Sequence, residues 1–176
     1  LKSLRYKGYN SPIESLVKKI KIIKVIIMTN TSALELVQDE NISAETLDEL
    51  SRDENPFVRV RVAAHMNTSA ETLVNLSKDE TPLVKQFVAE HLNTPMDTLV
   101  ELSKDSDLAY WIAGNPNTPV EILNELSKDE DENVRSSVAV NTSTPAETLD
   151  LLMIDENEDV RAAVMKNPVI QAKTAK

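Results

Sequence analysis

The sequence contains no cysteine. Disulfides, thiol nucleophiles and thiolate-bound metal clusters are therefore excluded, and a reducing, cytoplasmic setting is the expectation. Glycine occurs twice and aromatic residues make up 3%. A sandwich or barrel with many tight turns needs more of both, so an all-β architecture is disfavoured. No apolar run approaches the roughly 20 residues of a membrane span. The nearest, "IKIIKVIIM" (20–28), is interrupted by lysines and lacks the layout of a signal peptide. No nucleophile elbow, phosphate-binding glycine loop or metal-ligand cluster is present.

What is abundant is Leu, Val, Ala, Glu and Asp, a composition that favours short helices. The formal charge of −10 is uneven. Residues 1–30 carry seven Lys/Arg against Glu14 alone, and the remainder carries twelve basic against twenty-eight acidic residues. So acidic a body is self-repelling and a poor match for a phosphate backbone.

The chain is periodic. "NISAETLDELSRDENPFVRVRVAAHM" (41–66) aligns with "NTSAETLVNLSKDETPLVKQFVAEHL" (67–92) and with the three stretches that follow, to residue 168. One leucine recurs as Leu47, Leu73, Leu99, Leu123 and Leu149, and a second as Leu50, Leu76, Leu102, Leu126 and Leu152. An aspartate follows three residues later: Asp53, Asp79, Asp105, Asp129 and Asp155. Only the third unit is short, by two residues, and it holds Tyr110, the sole tryptophan Trp111, and Gly114. Repetition on this scale predicts a solenoid in which stacking, not single helices, supplies stability.

Each unit reads as two short helices. Thr68, Thr94, Thr118 and Thr144, with an acid three residues on, are expected as capping-box N-caps. Pro95, Pro119 and Pro145 would then fall at the first helical position. The second helix runs through "VRVRVAAH" and its equivalents. Helical spacing turns Val58, Val62, Val84, Val88, Val134 and Val138 inward, with Ala63, Ala89 and Ala139 on the flank.

The pattern N-x-x-T-P-x-E-x-L-x-x-L-x-x-D followed by V-R-x-x-V-A-x-N resembles the leucine-rich repeat variant. The likeness is clearest in "NTPVEILNELSKDEDENVRSSVAVN" (117–141) and "TPAETLDLLMIDENEDVRAAVMKN" (144–167), and it covers residues 41–168. It implies an all-α, right-handed solenoid superhelix of the HEAT/armadillo kind, alternating α and 3₁₀ helices, and a non-enzymatic, interaction-type role. The iron–sulfur segment associated with that family needs cysteines, so no cofactor carries over. The expected organisation is a divergent N-terminal cap (1–40) with a basic amphipathic helix, five units (41–168), and a C-terminal tail (169–176).

The outward positions of the second helices are Val60, Gln86, Tyr110, Ser136 and Ala162, then Ala64, Glu90, Gly114, Val140 and Lys166. The adjoining column places Phe87 and Trp111 one unit apart. Gln86, Phe87, Tyr110, Trp111 and Gly114 are therefore candidates for a patch that binds a protein or peptide, since Tyr and Trp are favoured anchors and glycine admits a close backbone. Alternatively, Trp111 fills space left by the shortened loop. Arg59, Lys85, Arg135 and Arg161, six residues after the aspartates, read as loop ties between units. His65 and His91 share a position with Asn115, Asn141 and Asn167, which points to turn chemistry, not a metal site. The recurrence of the carboxylates in equivalent settings argues against an acid–base pair, which needs two unequal ones. A second functional class remains open: a membrane- or nucleic-acid-associated factor using Lys18, Lys19, Lys21 and Lys24.

Overall fold

The computed structural model describes residues 33–174, all-helical with no strands among the described residues. The expected basic helix of residues 11–27 lies outside them. A short helix α1 (Ala33–Leu36) precedes the units. The first helices are α2 (Ala44–Leu50), α4 (Ala70–Leu76), α6 (Met96–Leu102), α8 (Val120–Leu126) and α10 (Ala146–Leu152). The second helices are α3 (Pro56–Ala64), α5 (Pro82–Glu90), α7 (Ala109–Gly114), α9 (Glu132–Val140) and α11 (Glu158–Lys166). A last helix, α12 (Pro168–Thr174), follows. The elements stack as a solenoid, each second helix lying against the next.

The inward positions are filled as helical spacing predicts. Leu47, Leu73, Leu99, Leu123 and Leu149 are fully buried, as are Val62, Val84, Val88 and Val138. Ala63, Ala89 and Ala139 are also fully buried, so the flank belongs to the core. Helices of seven and nine residues are marginal alone, and this shared apolar seam is what makes them stable.

Three expectations need correction. The threonines are not N-caps: Thr68, Thr94, Thr118 and Thr144 are buried, and each hydroxyl donates to a carbonyl six residues earlier, on Val62, Val88, Ile112 and Val138. They close the end of the second helix. The caps come one residue later, at Ser43 and Ser69, whose hydroxyls accept from the backbone N–H of Thr46 and Thr72. In the later units Pro95, Pro119 and Pro145 hold that place without a side-chain bond. Second, α and 3₁₀ helices do not alternate: the one 3₁₀ helix among the described residues is Ser106–Leu108, in the short third unit. Third, the stretch expected as a tail forms α12 in its described part, and Ile170 seals the end of the core at 2% exposure.

Two sets of polar bonds join the units. Arg59 donates from Nε and Nη2 to the Asp79 carboxylate of the next unit and from Nη1 to the carbonyls of Asp53 and Glu54 in its own loop. Arg135 repeats the arrangement with Asp155, Asp129 and Glu130, and Lys85 reaches Asp105. In the third unit Ala109 stands at this position, and the rung to Asp129 is missing.

The second set runs through the His/Asn position. Asn141 donates to the carbonyls of Ala113 and Asn115, and Asn167 to those of Ala139 and Asn141. Asn115 does the same with Ala89 and His91. His91 meets the His65 carbonyl through Nε2, while its Nδ1 accepts from the Asn93 N–H. A carbonyl only accepts, so Nε2 carries the proton. The turn chemistry expected here is thus also a ladder between units, spanning about one repeat.

Candidate partner-binding groove

The third unit differs because its loop is short. After Asp105 the chain makes the 3₁₀ turn Ser106–Leu108 and enters α7, which has six residues where the other second helices have nine. Leu108 and Ile112 face the core of the earlier units, and Ala109 and Ala113 face the later ones. Unit three is therefore the seam where two core clusters meet. The shortening lies at the N-terminal side of α7, and all five second helices end at equivalent positions, Ala64, Glu90, Gly114, Val140 and Lys166.

At the C-terminal ends of α3, α5 and α7 lies a groove with two hollows. One, of about 470 Å³, lies between the ends of α3 and α5 and is lined by Ala64, Met66, Phe87, Glu90 and Leu92. The other, of about 210 Å³, lies where α5, α7 and α9 end and is lined by Glu90, Leu92, Tyr110, Trp111, Gly114 and Pro116. Glu90 and Leu92 belong to both, so the hollows adjoin.

The walls combine apolar side chains, partly in solvent, with His91 and Asn93 in the first hollow and Asn115 and Ser137 in the second. Met66 is 72% exposed, Leu92 66% and Tyr110 44%. Phe87 and Trp111 are half-buried and rest against the core of the earlier units. The rings of Tyr110 and Trp111 meet edge to face, with centroids 4.7 Å apart and planes at 90°. This geometry is favourable for aromatic pairs and restrains the orientation of both rings. Trp111 is thus neither wholly core nor wholly surface, and it leaves part of its ring to the groove.

Gly114 has no conformational reason to be glycine. Its φ lies outside the left-handed region, and a Cβ there would meet only the Ser137 Oγ, at 3.8 Å, an ordinary contact. A helical glycine costs up to about 1 kcal/mol relative to alanine. What the missing side chain does is keep the floor of the second hollow open.

Of the five residues the sequence singles out, Phe87 lines the first hollow, and Tyr110, Trp111 and Gly114 line the second. Gln86 is half-buried on α5 and lines neither. Sequence reasoning missed Met66, Leu92 and Pro116, which occupy one repeat position just after the second helix. An apolar residue in three successive turns was the available signal. His65 and His91 bond into the ladder, His91 also lining the first hollow, and no group of three His, Asp or Glu among the described residues is placed to hold a metal ion. Among the described residues no helix is long and apolar enough to cross a membrane.

No protein-family model matches the sequence, and no curated protein matches it. Among solved structures, the chain is similar to one described as a leucine-rich repeat variant with a novel repetitive protein structural motif. The TM-score is 0.56 at 22% identity, over 94% of this chain and 71% of that one. The likeness is one of fold: this chain is a helical-repeat solenoid of the leucine-rich repeat variant type.

Proposed function

We propose that this solenoid is a non-enzymatic scaffold that binds a peptide segment of another protein along the ends of its second helices. The groove between Phe87 and Trp111 is the centre of that surface. One observation carries the reading: the unit that breaks the repeat also lines the second hollow of the groove, and it spends Tyr110, Trp111 and an otherwise unneeded glycine there. Half-buried aromatic rings of fixed orientation are suited to act as anchors, because ordering them on binding costs little entropy.

The test is selection of a displayed random dodecapeptide library on the purified chain. Recovered peptides are re-tested on Trp111→Ala, Phe87→Ala and Gly114→Leu. The leucine places bulk in the second hollow, while its Cβ makes only an ordinary contact with the Ser137 Oγ. Binding that weakens about tenfold or more in these folded variants supports the reading. Peptides bound equally well by all the variants would remove the groove as the site.

A further inference from the structure

Building on the groove reading, we infer that the occupant is a segment in which a lysine or arginine lies between two apolar side chains. Each hollow has apolar side chains beside a few uncharged polar groups, and the residue common to both that carries a charge is Glu90. Its carboxylate is exposed and makes no hydrogen bond or ion pair among the described residues. The ladder carboxylates differ in this respect: Asp79, Asp105 and Asp155 are each met by a cation of the preceding unit.

The neighbours of Glu90 make the site selective. The equivalent positions one unit earlier and one unit later are Ala64 and Gly114, so small residues flank the carboxylate on either side. Phe87 and Met66 stand on one side, Trp111 and Tyr110 on the other. The helices α3, α5 and α7 all end at this groove, and the partial negative charge at a helix C-terminus favours a cation there. An acidic segment would face Glu90 with no lysine or arginine in either hollow to receive it. The acidic body beyond residue 30 attracts a basic partner at long range as well.

A bound segment would set its cation over Glu90 and place one apolar side chain in each hollow. Flexible Met66 adapts to different shapes in the first hollow. The aromatic pair, its rings held edge to face, is a more rigid wall in the second, and aromatic rings attract the cation of a lysine or arginine.

The same dodecapeptide library provides the test, now read for composition and against Glu90→Gln and Glu90→Lys. Glu90 is exposed and bonds to nothing described, so both variants should fold, which circular dichroism confirms. The expected result is enrichment of apolar–Lys/Arg–apolar sequences. Their affinity should fall about threefold in Glu90→Gln, more in Glu90→Lys, and also with added salt. Peptides that need Trp111 and Gly114 yet are uncharged or acidic, and that ignore both Glu90 variants, would overturn this inference and leave the groove reading intact. Peptides indifferent to the groove variants as well would overturn both.

Discussion

The guanidinium of Arg135 closes on the carboxylate of Asp155, twenty residues ahead in the chain, through two parallel bonds of 2.8 and 3.0 Å. Both side chains are about nine-tenths buried, and a third nitrogen holds the carbonyls of Asp129 and Glu130. One side chain thereby fixes its own loop and the next unit's loop together. Bidentate pairs of this kind are among the stronger polar contacts, and truncating one partner leaves a buried charge uncompensated. Asp155→Ala should lower unfolding free energy by on the order of 3 kcal/mol, measured by urea denaturation. The more exposed Lys85–Asp105 pair should matter less.

These bonds also set the response to acid. The hydrogen bond from Arg59 holds the Asp79 carboxyl below its usual range, against the opposing effect of burial, and Arg135 does the same to Asp155. The folded state therefore favours the ionised form. Its stabilisation is complete above the unfolded value near pH 4 and is lost as pH falls through the lower folded value. Melting temperature should fall steeply on acidification below about pH 4, and Asp155→Asn should shallow that fall.

The ladder through the His/Asn position makes a separate prediction. Asn141 is 4% exposed, donates to two carbonyls of the preceding unit and accepts from the Ser143 N–H. Asn141→Ala strands all three groups and should cost about 3 kcal/mol. His91→Asn should be far milder than His91→Ala, because asparagine supplies the same donor and acceptor at Asn115. Parallel urea titrations of the three variants and the wild type decide this.

Gly114 separates stability from binding. Gly114→Ala should leave stability unchanged or raise it by up to about 1 kcal/mol, since the new Cβ meets nothing closer than 3.8 Å. The same change should weaken peptides selected on the wild type. A loss of stability on thermal melting would show that the glycine serves the fold and not the groove.

The repeat register, the leucine ladder, the inward valines and the Arg–Asp rungs were all legible in the sequence, because each follows from a residue type recurring at fixed spacing. The cap position was not. Thr-Pro reads as cap and first helical residue, yet the carbonyl six residues earlier and a buried site for the threonine methyl prevail. The Asn ladder was legible only as turn chemistry, since its acceptors lie about one unit back in the chain. Phe87, Tyr110, Trp111 and Gly114 stood out by rarity and column. Met66 and Leu92 did not, because the direction of a turn residue depends on how units stack.

The central claim is that the third unit presents an aromatic anchor to solvent at a groove. Acrylamide quenching of Trp111 tests it most directly, since the tryptophan emission comes from that ring alone. The account predicts clear quenching in the native state, weaker than in urea, and protection when a groove-selected peptide is bound. A native signal that acrylamide does not reach, with quenching only after unfolding, would place the whole ring in the core and contradict the account.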